Sequence, residues 1–551
     1  MIAAGWLREA LAAHAGALAR VALVALVALV ALAARTAMPI DETRYLAVAW
    51  EMWQRGDFLV PHLNGAPYSH KPPLLFWLVH AGWAAFGVND AWPRLVMPAC
   101  AIATSLVTAR TARELWPDAP WLASRAAWIL LGSMLFALFA VMFMFDVLLA
   151  LCVSAGVLGL VRAARGRAHG FALLALGIGA GVLAKGPAVL LHLLPAALLA
   201  PWWAGRGSLR PTRWYLGVAL AVAGGAAIAL AWAIPAGMRG GEAYRQAIFW
   251  GQTAHRMVDS FAHQRPIWWY LPWLPVALAP VLAWRPLWDG IRTPGLLRDR
   301  GVRLASCVAL PALVAFSLVS GKQLHYLVPD IPAFALFAAR ALERPQPARR
   351  PWLAAAALAA IGIAVLALPH VRLAGAAATL REVPAAGALA FFALAAWLVR
   401  VPRVAAEQVP RLCGAAMLAL AAMHLVFVAR LAPAWDMRPL ARKIHELQAA
   451  GVPLVHDGAY HGQFHFAGRL DAPLQEARTL DATAAWLGAN PRGAAVVYFR
   501  DPAALANFAP IATQPFRGRH AAIIDADRAV GAVRASRSEE RGRPDDGAES
   551  D

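Results

Sequence analysis

Ionisable residues placed beside apolar runs are the part of this sequence most able to do chemistry. Asp41 and Glu42 follow the first apolar run in DETRY, His70 and Lys71 sit in SHKPPL, Asp146 is the single charge of FMFDVLLAL, and Lys185 lies in LAKGP. His255, Arg256, His263 and Arg265 occupy QTAHRMVDSFAHQRP, and Lys322 and His325 occupy SGKQLHYLVP. Charge next to hydrocarbon is expensive unless it is compensated. Any one of these residues alone reads as a snorkelling or loop charge. Together, acids with several Lys, Arg and His are what a site for an anionic headgroup needs: lysine as a point charge, arginine as a bidentate fork, and a carboxylate held close as a base. That chemistry is phosphate binding combined with acid–base work.

The elements that must hold these residues are membrane helices. The chain has 551 residues, 60% apolar and 15% charged, with a mean hydropathy of +0.53, far above the soluble globular range. Apolar stretches at roughly 17–35, 92–112, 122–143, 146–164, 171–188, 189–204, 214–234, 269–284, 302–319, 326–341, 352–369, 385–400 and 411–430 predict about 13 spans. The run 74–87 is bounded by Pro73 and Gly87 and is too short to cross, so it is expected at the interface or as a re-entrant piece. The first run reads as an uncleaved helix rather than a secretory signal.

The net charge of +19 would suit nucleic acid, yet the basic residues come in small clusters between apolar runs. With a cytoplasmic N-terminus, the clusters Arg110/Arg113, Arg162/Arg165/Arg167, Arg206/Arg210/Arg213, Arg285 to Arg303, Arg340 to Arg350 and Arg400/Arg403 all fall in inner loops. No nucleic-acid partner is expected. The same orientation sends the unusual polar residues to the outer face, with external loops 36–91 and 235–268 carrying the site. Cys100, Cys152, Cys307 and Cys413 lie in apolar segments without CxxC spacing, so no disulfide framework or zinc site is indicated.

From about 432 the composition changes. RPLARKIHELQAAG is an amphipathic helix, and PLVHDG, AAVVYF and AAIIDA read as short strands around the helical DATAAWLGAN. The expected organisation is a polytopic domain at 1–431, a small α/β domain at 432–534 and a disordered charged tail at 535–551. His456, His461 and His465 of HDGAYHGQFHF are read as alternating strand residues rather than metal ligands. No P-loop or GxGxxG precedes a helix, so a lipid-linked phosphate is the substrate class expected at the outer face.

These ordered motifs, DETRY, GDFLVPHLNG, SHKPPLLFW, FMFDVLLAL, LAKGP, the second-loop stretch and SGKQLHYLVP, resemble the GT-C superfamily of membrane glycosyltransferases. The pattern is similar to the lipid A aminoarabinose transferases and to the broader dolichyl-phosphate-mannose protein mannosyltransferase-like group. The resemblance covers roughly residues 30–345; beyond that it rests on layout. It implies an all-α polytopic membrane protein of GT-C type with a small C-terminal α/β periplasmic domain, in a bacterial inner membrane. It further implies transfer of a sugar from a polyprenyl-phosphate carrier, usually undecaprenyl phosphate, to a lipid or glycan acceptor of the envelope such as lipid A.

By that resemblance Asp41 is the catalytic carboxylate, with Glu42 sharing or supporting its role, and Lys71, Lys185 and Arg256 bind the donor phosphate. His70, Asp146, His263, Lys322 and His325 are supporting positions. Many relatives carry Glu where this chain has His70, which puts in question whether a divalent metal is used; no cofactor is certain and metal ligands are unknown. Two alternatives stay open: a protein O-mannosyltransferase-like enzyme, and a non-enzymatic flippase or transporter of a lipid-linked sugar. The latter would show interrupted helices in repeated halves, and no internal repeat is seen.

Overall fold

The structure, a computed structural model, describes residues 2–205, 209–250, 265–343, 349–373, 375–400 and 405–541. The chain divides into two compact units, one of 1–32, 69–367 and 384–425, the other of 33–68, 368–383 and 426–551. The first external stretch is thereby split: 33–68 cluster with the C-terminal residues, whereas 69–91 stay with the helices of the first unit.

The helical part is that of a multi-pass membrane protein. Among the described residues seven helical runs are long and apolar enough to cross a bilayer: His14–Ala34, Ala91–Leu115, Asp146–Ala164, Pro211–Arg239, Arg300–Leu318, Trp352–His370 and Gln408–Ala449. Four shorter apolar helices, Leu74–Phe86, His169–Lys185, Ala188–Leu198 and Gly387–Val399, accompany them. Two expected spans are corrected. Residues 269–284 form only a 3-10 turn, Leu271–Trp273, and a four-residue helix, Leu274–Ala277, because Pro272, Pro275 and Pro280 remove donors and clash with the preceding turn. Residues 122–143 break at Ser133, whose extended backbone separates helices Trp121–Gly132 and Met134–Phe139.

One helix pair matters for the site. Helices Asp146–Ala164 and His169–Lys185 are joined by four residues, so they run antiparallel at nearly equal length. Their backbones touch: a Cβ on Gly159 would lie 2.7 Å from the carbonyl oxygen of Gly170, and one on Gly177 would lie 2.8 Å from that of Cys152. Small residues at such crossings let membrane helices approach closely. The first residue of one helix therefore lies beside the last residue of the other.

The second unit is built on a five-stranded sheet. Its strands are β3 (Leu454–Asp457), β4 (Gln475–Ala477), β5 (Ala494–Phe499), β6 (Ala512–Phe516) and β7 (Arg519–Asp525), in the order β4-β3-β5-β7-β6; β1 (His62–Leu63) and β2 (Ala66–Pro67) form a separate hairpin. β3 pairs parallel with β4 and β5, and β7 pairs antiparallel with β5 and β6. Strand periodicity sends Ala494, Val496, Ala521 and Ile523 to one face, where Leu440, Ala441 and Ile444 of helix Arg438–Ala449 cover them. The opposite face, with Ala495, Val497, Ala522 and Ile524, is covered by Leu487, Ala529, Ala532 and Val533. That cover corrects the expected disordered tail: helix Ala526–Arg541 runs past residue 534, since Ala529, Ala532 and Val533 bury against the sheet and Arg537 pairs with Asp457. Residues 542–551 lie outside the described ones.

Helix Asp41–Arg55 belongs to this unit. Trp50 donates its indole N–H to Leu470 O at 3.0 Å, Gln54 donates to Asp471 at 2.8 Å, and Asn64 Nδ2 donates to Leu474 O at 2.9 Å while accepting from Leu474 N at 2.8 Å. His456 lies on β3, as the strand reading requires, but His465 opens the short helix His465–Gly468 and His461 lies in the connecting turn. The glycines flanking this stretch, Gly458 and Gly462, both have positive φ and end the extended run.

Candidate functional site

In the first unit four of the expected residues meet. Asp146, fully buried at the start of its helix, is hydrogen-bonded and ion-paired with the ammonium of Lys185, the last residue of the neighbouring helix; their side chains are 1% and 13% exposed. The antiparallel hairpin produces this meeting. Gly186, with φ +75°, then turns the chain in a conformation other residues rarely adopt, and Pro187 follows. His325, Lys185 and Lys71 all lie within electrostatic reach of the Asp146 carboxylate.

Aromatic rings line the group. The Lys185 ammonium is 5.0 Å from the Tyr326 ring centroid, and that of Lys71 is 5.8 Å from the Phe145 ring, distances at which a ring face attracts a cation. The His325 ring lies 4.8 Å from Tyr326 and 5.8 Å from Phe139, and Phe145 stands edge-on to Phe76 at 5.6 Å. Lys71 and Lys185 bring two ammonium groups to the Asp146 carboxylate, with His325 beside them. Such a cluster can hold a phosphate, and the carboxylate can keep a lysine in place. Tyr326 and Phe145 were not singled out from sequence, although each adjoins a residue that was.

The other expected residues are placed as follows. His70 is exposed at the start of its segment. Lys322 is buried and gives its ammonium to Arg265 O at 2.9 Å and Val319 O at 2.5 Å, which ties two chain segments together. Arg256 and His263 lie outside the described residues. Among the described residues no three His, Cys, Asp or Glu converge in a group that could hold a metal, so no step is assigned to one.

Asp41 and Glu42 belong to the second unit and differ in setting. Asp41 is exposed at the first turn of its helix and accepts from Tyr45 Oη at 3.3 Å. Glu42 is buried, forked onto Arg35, and accepts Met38 N at 2.8 Å. A carboxylate so engaged fixes the chain entering the helix, leaving Asp41 as the one presented to solvent.

A buried polar network joins this region to the sheet of the same unit. Glu51 accepts the amides of Asn64 and Gly65 and lies 3.5 Å from His465 Nε2. Burial raises its carboxyl above the usual range against the opposing pull of those amides and of Arg55. His456 Nε2 and Gln463 Nε2 each lie 2.8 Å from the Tyr498 hydroxyl. Burial pushes both His456 and His465 down to about 4. Nothing in the sequence pattern distinguished Glu51, because its partners are up to 414 positions away and appear only once the chain is folded.

The opposite end of the helices is rich in arginine. Asp146 begins a 19-residue helix whose last turn carries Arg162, about 24 Å away along the axis. There Glu114 takes Arg110 and Arg162 at 3.0 Å and Arg167 at 3.4 Å, and Arg340 pairs with Asp299 at 2.8 Å. Site residues and arginine clusters thus lie at opposite ends of the first unit.

Known proteins resemble this chain in part of its sequence and in its fold. Residues 70–232, which include Lys71, Asp146 and Lys185, match the family described as dolichyl-phosphate-mannose-protein mannosyltransferase. The chain is 32% identical over 343 residues to an undecaprenyl phosphate-alpha-4-amino-4-deoxy-L-arabinose arabinosyl transferase of Pseudomonas aeruginosa (strain LESB58), covering 60% of each protein. It is 30% identical over 310 residues, 54% of each, to the enzyme of that name from Serratia proteamaculans (strain 568). The match therefore spans about 60% of the length of the Pseudomonas relative. Its fold is shared with ArnT from Cupriavidus metallidurans, crystallised bound to undecaprenyl phosphate, at TM-score 0.73 and 21% identity over 92% of this chain and 97% of that one. By its ordered motifs and its fold, the chain is a polytopic membrane protein similar over part of its length to the aminoarabinose transferases and the dolichyl-phosphate-mannose-protein mannosyltransferases.

Proposed function

We propose that this protein is a glycosyltransferase that moves a sugar, of the 4-amino-4-deoxy-arabinose type or a close relative, from undecaprenyl phosphate to an acceptor of the cell envelope such as lipid A. The observation that carries the reading is the meeting of Lys71, Lys185 and His325 around Asp146 at the helix ends remote from the arginine clusters. In the reaction an acceptor oxygen attacks the anomeric carbon, the bond from that carbon to the carrier phosphate oxygen breaks, and undecaprenyl phosphate leaves. Lys71 and Lys185 stabilise the leaving phosphate, with Arg256 and His263 of the second external loop assisting. Asp146 orients Lys185. Asp41 takes the proton of an acceptor hydroxyl, or orients an acceptor that is already a phosphate. The site and the C-terminal domain face the periplasm, with the arginine-rich helix ends in the cytoplasm of a bacterial inner membrane.

The family match over 70–232 favours a second acceptor class, a protein hydroxyl. Proteoliposomes supplied with a panel of radiolabelled undecaprenyl-phosphate sugars and envelope extract distinguish the readings. Label on lipid A from the aminoarabinose donor, lost in Asp41→Asn and Lys71→Ala, supports the proposal; label on protein selects the second reading. Movement of carrier-linked sugar between leaflets, with no acceptor labelled and no effect of Asp41→Asn, would refute both.

A further inference from the structure

At the arginine-bearing end of the first unit, remote from the Lys71/Lys185 cluster, lies a cavity of about 330 Å³ whose lining includes Trp284, Arg285, Arg349, Arg350, Trp352 and Leu353. Its two walls come from distant parts of the sequence and are joined by a hydrogen bond from Trp284 Nε1 to Arg349 O at 3.2 Å. Helix Arg285–Ile291 abuts the end of helix Ile331–Ala341, for a Cβ on Gly290 would lie 2.1 Å from Ala341 O. That end is the one carrying Arg340, fifteen residues beyond His325.

Charge in the cavity is unbalanced. Among the described residues Arg285 and Arg349 share one acid, Asp289, at 4.0 Å and 3.7 Å, both beyond hydrogen-bonding distance, and Arg350 adds a third guanidinium to the lining. Among the described residues the Nε of Arg349 is buried with no hydrogen-bond partner. Arg350 is held over the Trp352 indole at 5.5 Å, so its fork is oriented before any ligand arrives. The mouth opens where helix Trp352–Ala367 begins. Leu353, Ile363 and Leu366 on that helix are 67%, 61% and 45% exposed, an apolar face on which acyl chains can lie.

From this we infer a binding site for the headgroup of an acidic phospholipid, its phosphate held by Arg285, Arg349 and Arg350 and its acyl chains lying along helix Trp352–Ala367. Indole rings at the polar boundary and guanidinium forks for the phosphate are the groups such a ligand calls for. The site is separate from the one proposed for the undecaprenyl-phosphate donor and does not depend on the reaction assigned above.

The test is native mass spectrometry of the delipidated full-length protein in neutral detergent, titrated with phosphatidylglycerol or phosphatidylcholine. Wild type should retain phosphatidylglycerol in preference to phosphatidylcholine. The pair Arg349→Ala and Arg350→Ala should weaken retention about 25-fold, from about fivefold per basic group. Arg292→Ala, an exposed arginine nearby in sequence, should leave it within about twofold, and Arg349→Lys with Arg350→Lys, which keeps the charge and checks the fold, should retain part of it. Equal retention of both lipids, or undiminished retention in the double alanine variant, would overturn the site. Complete displacement of the lipid by low-millimolar inorganic phosphate would overturn the lipid assignment in favour of a free anion.

Discussion

Replacing Lys185 with alanine separates what the lysine does for the fold from what it does for the reaction. At an effective dielectric of about 20 and roughly 3 Å, the Lys185–Asp146 attraction is about 5.5 kcal/mol, most of it offset by desolvating both groups. Removing the lysine alone leaves the carboxylate of Asp146, whose side chain is 1% exposed, without its hydrogen-bonded cation. Such orphaning costs about 3–5 kcal/mol; with Lys71 and His325 still within reach of the carboxylate, the lower end, about 3 kcal/mol, is expected. Replacing both members, Lys185→Ala with Asp146→Ala, removes the orphaned charge and should restore most of that stability. If Lys185 stabilises the leaving phosphate, transfer should fall 100- to 1,000-fold in the single variant, as for removal of one preorganised donor to a developing charge, and should stay low in the double variant. The assays are thermal unfolding of the purified protein in detergent and label transfer in proteoliposomes. Recovery of transfer together with stability in the double variant would refute a direct role and leave Lys185 as a counterion only, as would a single variant within about threefold of wild type.

Three further outcomes follow from the structure. His456 and His465 are held down to about 4 against an ordinary 6.5, so the stability they contribute is present above pH 6.5 and lost as pH falls toward 4, by up to about 3 kcal/mol each. Burial of Glu51 acts in the opposite sense, its contribution present at low pH and lost as pH rises through its raised value. Hydrogen exchange of peptides from 454–470 in the full-length protein should therefore lose protection between pH 6.5 and 4, corrected for intrinsic rates, and a flat profile would contradict the burial of the imidazoles. Glu51→Ala removes the acceptor of the Asn64 and Gly65 amides and should speed their exchange roughly 100-fold, from about 3 kcal/mol for two charge-assisted bonds; unchanged exchange would show that the hairpin holds itself. Gly159→Val would drive its side chain into backbone at Gly170 and Leu174, so the folded yield should collapse by more than the usual 1–3 kcal/mol of overpacking, and normal expression with full transfer would show that this helix pair can separate.

Sequence alone determined the membrane class, three of the five strands and two of the helices of the C-terminal region, and the residue types of the cluster around Asp146. Apolar run length, two-residue alternation and charge beside hydrocarbon are local signals that survive without coordinates. It misread segments where local composition and backbone chemistry disagree: 269–284 is apolar enough to span, but its prolines prevent a continuous helix. It also misread the charged end of the chain, since Ala526–Arg541 is stabilised by burying Ala529, Ala532 and Val533 against a sheet that exists only in the folded state. Only tertiary structure decided that Lys185 meets Asp146 through an antiparallel hairpin of closely packed glycines. Likewise it alone set Glu42 onto Arg35 while leaving Asp41 exposed, and grouped residues 33–68 with the C-terminal sheet through Trp50, Gln54 and Asn64. These pairings join residues from 7 to over 400 positions apart. Periodicity records which face of an element is apolar, but the partner of a charge depends on where the chain returns.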